Sequence, residues 1–197
     1  MSLQIYLDSQ LTNPISQGDL SNPDRDEFNG TSGESKDREL FLANEQCALS
    51  GALTATATTV AFSRSAFSNG MRIRIGSEEL EIVTGGGTAA ATVLRGRNGT
   101  IATTHTLGDV VYSAVEGRDL VAQMIDDSGS SEVSWMVLAL SQSALATATP
   151  GASLSLGTKA FNQTKSIWRR CVVPSGTPVQ NKTDLKIQVS GTLFPLT

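Results

Sequence analysis

Charge is scarce in this chain. Asp, Glu, Lys and Arg make up 17% of its 197 residues, against roughly a quarter in ordinary soluble proteins. That shortage argues against long solvent-facing helices, which are normally coated with Glu, Lys and Arg. The net charge of −4 argues against the basic footprint of a nucleic-acid binder. Aromatic residues are only 5% of the chain, which disfavours an aromatic-rich surface for a sugar or a receptor. No run of apolar residues approaches the length needed to span a bilayer. The segment Met1–Asp8 has neither a basic region nor an apolar core of the secretory kind, so synthesis and folding in a cytosol are expected. The two cysteines, Cys47 and Cys171, match no metal or redox spacing. They are expected to be buried, reduced thiols.

Histidine is the scarcest of the catalytic residue types. His105 is the only one, so any Ser-His-Asp or Cys-His arrangement would have to be built on it. Its setting, Ala102-Thr103-Thr104-His105-Thr106, predicts an exposed loop, and no Gly-x-Ser-x-Gly elbow precedes it. One His and two scattered Cys cannot make a tetrahedral zinc site. Gly85-Gly86-Gly87-Thr88-Ala89-Ala90 matches a loose dinucleotide fingerprint. The residues after it, Thr92-Val93-Leu94, predict a strand where that fingerprint needs a helix N-terminus. Asp24 to Gly30 resembles a calcium loop, but its glycine falls one position late and Ser35 stands where a bidentate acid is required. The adjacent acids Asp126-Asp127 and Glu78-Glu79 point to opposite faces of a strand, and Glu78 to Glu81 is expected to be the wet side of a hairpin. No catalytic, cofactor-binding or metal-binding residue is assigned, and no cofactor is expected.

What the chain has in quantity is Ser, Thr, Gly and Asn, the composition of short strands joined by turns. Leu3–Leu7 predicts a strand. A polar run follows from Thr12 to Arg38, punctuated by Asn13-Pro14, Gly18-Asp19, Asn22-Pro23 and Asn29-Gly30. A segment so long without regular structure fits an arm that orders against a neighbouring subunit. Residues 39–43 predict a second strand. Between 47 and 115 the strands are short and evenly punctuated, as in a small barrel or sandwich. Its plainest element is the hairpin Met71–Ile75 / Glu78–Thr84 about Gly76-Ser77. Arg72/Arg74 and Arg95/Arg97 flank that hairpin and could pair with Glu79 and Glu81. Within 116–197, Glu132–Leu140 predicts an inner strand, residues 152–156, 166–173 and 184–189 predict further strands, and Leu120–Ile125 fits either a strand or a short helix.

The expected fold class is therefore all-β: an Ig-like or related β-sandwich with a small β-barrel or sandwich module. Residues 1–46 hold too few strands to be stable alone. Two arrangements satisfy this: residues 1–46 join 116–197 in one sandwich with 47–115 inserted, or two consecutive domains carry a detached arm.

Three segments carry a resemblance. Met71 to Thr84 contains Gly76-Ser77-Glu78-Glu79, residues 92–100 contain Arg95-Gly96-Arg97-Asn98-Gly99-Thr100, and His105-Thr106-Leu107-Gly108-Asp109-Val110-Val111-Tyr112 closes the set. This series, about a third of the chain, resembles a pattern found in virion structural proteins of tailed bacteriophages. Residues 167–178 and 180–184 also look like a sandwich edge of similar phage proteins. The chain lacks a collagen-like stem, a heptad run and a β-helix, which favours a compact subunit over a fibre. The resemblance implies a non-enzymatic, multicopy subunit of the virion, made in the host bacterial cytoplasm. It would join or reinforce other virion proteins and copies of itself, as capsid decoration or at the neck, tail or baseplate. No nucleic-acid or membrane partner is expected. The rival functions are a host-surface binding module and a glycan hydrolase with carboxylates on separate strands. For a subunit, the expected interface residues are Leu3 and Tyr6 in the first strand and Leu193, Phe194 and Leu196 in the apolar tail. The tail could equally tuck onto its own domain.

Overall fold

The computed structural model describes residues 2–129 and 131–196, and the fold is nearly all β. The described strands are β1 (Leu3–Tyr6), β2 (Glu34–Asn44), β3 (Gln46–Ala48), β4 (Thr59–Ala61), β5 (Arg72–Ile75), β6 (Glu78–Thr84) and β7 (Ala90–Arg97). They continue with β8 (Val110–Ser113), β9 (Val115–Asp126), β10 (Met136–Ala139), β11 (Leu154–Lys159), β12 (Lys165–Val173) and β13 (Leu185–Pro195). Short 3-10 helices occupy Glu132–Trp135 and Ser143–Ala146.

The first and last parts of the chain are interleaved. β1 and β2 join β12 and β10 in one antiparallel sheet of order β1-β2-β12-β10, and β11-β9-β13 form a second. The two sheets share a single core. Leu40, Leu42, Met136, Leu138, Ile167 and Cys171 come from one, and Leu120, Ala122, Met124 and Leu156 from the other. Period-two alternation explains the arrangement: Leu40 and Leu42 on β2 and Ile167 on β12 fall on one side of their sheet, so burial fixes the register. That register runs over nine residue pairs of β2 and β12, from Leu42–Lys165 to Glu34–Val173.

The intervening residues form a separate six-stranded antiparallel sheet of order β3-β8-β5-β6-β7-β4. Ile73, Ile75, Leu80, Ile82, Val93 and Val111 fill its concave side. Gly76 takes φ +57° at the first position of the two-residue β5–β6 turn, a conformation that favours glycine. The sheet curls until its two edge strands meet. Leu49 bridges Phe62, with Ser50 N–H donating to the Ala61 carbonyl at 2.9 Å and Ser63 N–H to the Ala48 carbonyl at 2.8 Å. The result is a small, strongly curled half-barrel whose two edges are joined at this bridge.

Several expectations need correction. The second strand begins at Glu34 and not near residue 39. Its polar first half is held by cross-strand pairing, including Arg170–Asp37 at 2.7 Å. The segment before it orders against its own chain. Ile15 N–H donates to the Ile5 carbonyl at 2.9 Å, so the chain folds back along β1, and Phe28 packs on the sandwich core. Glu132–Leu140 is not one strand: Glu132–Trp135 makes a 3-10 turn, and only Met136–Ala139 pairs, as an edge. Both faces of that edge are nonetheless buried, because Met136 and Leu138 face the sandwich core while Val137 and Ala139 pack on Leu145 of the second 3-10 helix. Leu120–Ile125 lies within β9 and is strand.

A bulge crosses the smaller sheet. Between Val121 and Arg118 β9 spends one residue more than β13 does between Ser190 and Thr192, and Asp119 takes φ +52° there. Beyond that kink, β9 and β13 leave the sandwich core and run towards the barrel, where Leu196 N–H donates to the Ala114 carbonyl at 3.3 Å.

Candidate functional site

Catalysis, if this chain performed any, would draw on the acids and the single histidine of the barrel. The structure brings Glu78 and His105 together with Arg95 and engages them with one another. Glu78 shares the concave side of β6 with Leu80 and Ile82, and none of its surface is exposed. Its carboxylate accepts two bonds from Arg95 (Nε at 2.6 Å and Nη2 at 2.7 Å), one from Thr103 N–H at 3.1 Å and one from Gly96 N–H at 3.3 Å. His105 Nε2 lies 2.8 Å from the same carboxylate. Burial alone would push the Glu78 carboxyl up; the bonds from Arg95, Thr103 and His105 outweigh it and hold the group down to about 2.

The same Arg95 guanidinium donates to the carbonyls of Thr54, Ala57 and Thr103 at 2.7–2.8 Å. Glu78 and Arg95 therefore tie the β3–β4 and β7–β8 connections to the barrel mouth. A carboxylate with every lone pair occupied, fixed in its ionised form, is a clasp and not a general acid. Two expectations are overturned here. His105 is 6% exposed and not a surface residue, and Glu78 and Glu79 are buried, not the wet side of a hairpin. The cause is the curl of the sheet, which folds residues 95–105 over the start of β6. The expected pairing of the flanking arginines holds for Arg97, 3.0 Å from Glu81, and loosely for Arg72, 3.6–3.7 Å from Glu79 and Glu81. Each cluster member lies in a different one of the three segments on which the phage resemblance rests. That co-occurrence was the signal available in the sequence for their contact.

Two more polar clusters are equally committed. Asp24 and Asp26, the head of the calcium-like loop, bind Arg38 at 2.6–2.7 Å, and both also bind Arg169, Asp24 through Nε at 2.5 Å. Burial would lower Arg169, but the two carboxylates raise it above the ordinary arginine value. These acids hold the N-terminal segment on the sandwich. At the junction of barrel and sandwich, Asn44 donates through Nδ2 to the Ser113 and Val115 carbonyls at 2.8 Å, and its Oδ1 accepts from Lys159 Nζ. Lys159 is wholly buried, and desolvation, with the nearby Lys165, lowers it to about 8. Cys47 and Cys171 are free and buried, with burial pushing the Cys47 thiol up to about 12.

The remaining candidate is a surface for another chain. Of the expected interface residues, Tyr6 is withdrawn: it is 1% exposed, its hydroxyl oxygen accepts from Gln46 N–H at 3.1 Å, and burial raises it to about 12. Its position on β1 points it into the junction. Leu3 is half-buried against the sandwich core. Leu196 is half-buried on its own chain, its carbonyl accepting from Asn98 Nδ2 at 2.8 Å. Leu193 and Phe194 remain open, 41% and 37% exposed, on β13, with the Arg118 guanidinium 4.4 Å from the Phe194 ring centroid.

β13 was expected only over residues 184–189, and its run on to Pro195 is what the sequence did not announce. It is an eleven-residue strand with β9 on one side and, among the described residues, no strand on the other. Its core-facing Leu185, Ile187 and Val189 are only partly buried, whereas Leu120 and Ala122 on neighbouring β9 are fully buried. No protein-family model matches the chain, and no curated protein matches it.

Proposed function

We propose that this chain is a non-enzymatic structural subunit of a tailed-phage particle, joining or reinforcing neighbouring virion proteins as capsid decoration or at the neck, tail or baseplate. The observation that carries the reading is the open edge of β13, with Leu193 and Phe194 exposed beside it. Unpaired backbone groups along a long strand are a template for another strand, and soluble proteins normally conceal them. The resemblance of residues 71–112 to virion proteins supplies the particle. The chemistry of the barrel is in keeping with it: Glu78, Arg95 and His105 spend their bonding capacity on loop architecture, which suits a rigid building block.

The test is to find the chain in the particle. Peptide mass spectrometry of gradient-purified virions should recover it in multiple copies, and gold-labelled antibody against the recombinant protein should decorate either head or tail. A chain that stays wholly in the soluble fraction of the lysate while complete particles sediment without it would defeat the proposal.

A further inference from the structure

Among the described residues every sheet edge except one is protected, and each protection has an identifiable cause. The barrel joins its own edges at the Leu49–Phe62 bridge. β1 is covered by the returning chain at Pro14 and Ile15. β10 is four residues long, lies between two 3-10 helices, and has its Met136 carbonyl taken by Gly151 N–H at 2.8 Å. β11 is six residues long and breaks register on either side of Gly157. Short strands, bulges and inward charges are the devices that keep edges from pairing. β13 has none of them along Leu185–Val189 or Thr192–Phe194. Its one lysine, Lys186, is paired with Asp127, and the extra residue of the sheet's bulge sits on β9.

The geometry points to a second copy of this chain as the occupant of that edge, its β13 antiparallel to the first across a twofold axis at Ser190. This rests on the reading of the protein as a multicopy subunit and specifies how two copies meet. Ser190 is the midpoint of Leu185–Pro195, so this register alone pairs all eleven residues, an edge of about 36 Å. It is also self-complementary on both faces. On the core side Ile187 meets Leu193, Leu185 meets Pro195 and Val189 meets Gly191. On the outer side Lys186 meets Phe194, already under the Arg118 cation, and Gln188 meets Thr192. The half-open Leu185 and Ile187 and the exposed Leu193 and Phe194 are thereby covered by each other. A head-to-tail alternative, β13 against the β11 edge of the next copy, would pair strands that both run antiparallel to β9. It would also meet the short, bulged edge.

The register makes a charge-swap test available. Gln188 and Thr192 are exposed and face each other across the axis, so Q188K/T192K places lysine opposite lysine twice, whereas Q188E/T192K places glutamate opposite lysine twice. Sedimentation velocity on the full chain should show a dimer, weakened roughly tenfold or more in Q188K/T192K and restored in Q188E/T192K. Circular dichroism of the three proteins should be the same, since all changes are on the surface. A wild-type chain that stays monomeric at ~100 μM overturns the inference. So does an oligomer indifferent to both variants, or one that Q188E/T192K fails to restore. Recovery of the chain from virions together with any of these results would leave the particle role standing and remove only the twofold pairing.

Discussion

Replacing Glu78 by Gln tests whether the barrel depends on a buried charge. The side chain is wholly buried, and its carboxyl is held at about 2 against an ordinary 4.5. That difference corresponds to about 3 kcal/mol of preferential stabilisation of the ionised form in the folded state. The sign is that of a depressed acid: the contribution is complete above the unfolded value and is lost as pH falls from about 4.5 towards 2. The amide keeps the shape but removes the charge and aims an NH2 group at donors: Arg95, the Thr103 and Gly96 N–H groups, and His105. Arg95, nearly buried, is left without a countercharge, and removing one partner of a buried pair costs about 3–5 kcal/mol. Urea unfolding followed by circular dichroism at pH 7 should show a loss in that range. Hydrogen exchange should place it in β5–β8. Tryptophan emission should report it weakly, because Trp135 and Trp168 both lie outside the barrel. The gap between wild type and E78Q should close as pH falls below 4.5. Glu79→Gln, at a buried carboxylate that only approaches Arg72 at 3.6 Å and leaves Oε2 without a hydrogen bond, trades a weak pair for relief of desolvation and should cost clearly less than E78Q. An E78Q protein within 1 kcal/mol of wild type, or a deficit unchanged between pH 7 and pH 3, would refute the clasp.

Lys159 titrates at about 8 in the fold and at 10.5 when unfolded, so the unfolded chain holds the proton more tightly between those values and wild-type stability should rise with pH across that window. Lys159→Met should gain about 2 kcal/mol at pH 7, the relief of desolvation less one hydrogen bond to Asn44, and should lose that advantage near pH 10.5; a variant less stable than wild type at pH 7 contradicts this. Asp24→Asn/Asp26→Asn should release the N-terminal segment from Arg38 and Arg169, seen as faster tryptic cleavage after the exposed Arg25. Unchanged cleavage would mean that Phe28 and the Gly30–Thr177 contact hold the segment without the ion pairs.

The fold was legible wherever alternation met a turn. Ile73 and Ile75 against Leu80 and Ile82, about Gly76-Ser77, specify a hairpin before any tertiary contact is known, and its observed register, Ile75 opposite Glu78, follows from turn length alone. The weaker expectations failed where long-range contacts decide. Ser35-Lys36-Asp37 has no strand signal of its own; it extends β2 because β12 lies beside it and Arg170 reaches Asp37. Glu132–Trp135 alternates as well as any strand, yet it turns, and Lys182 contacts Glu132 at 2.6 Å from 50 positions along the chain. His105 fell to the same effect: a polar loop is normally wet, and only closure of the barrel brings it to Glu78. In the candidate interface, Leu193 and Phe194 were visible as apolar residues in a polar tail. Tyr6 looked equivalent in sequence and is buried, because the open edge is a property of sheet order and not of local composition.

Buried charges in this molecule divide by how well they are matched, and strand edges by how they are protected. Each buried ion is matched where it stabilises a closure: Glu78 with Arg95 at the barrel mouth, and Asp24 and Asp26 with Arg169 on the N-terminal segment. Others are poorly matched: Lys159 is a buried cation facing an amide and a carbonyl, which costs stability at neutral pH, and Glu45, buried with Arg64 no nearer than 3.5 Å, has its carboxyl pushed up by desolvation. Lys159 sits at the end of β11, the edge strand on the far side of the sheet from β13. β11 is short and breaks register on either side of Gly157, which hinders that edge from pairing, so in the proposed dimer the sheet grows only through β13. A sheet that grows on one side only, through a strand complementary to itself, stops at two copies, whereas a sheet open on both sides continues into a fibre. Lys159 is already wholly buried in the single chain, so it adds nothing to the cost of pairing at β11, and Lys159→Met should raise stability without changing how far the chain assembles; assembly of that variant beyond the wild-type state would refute this.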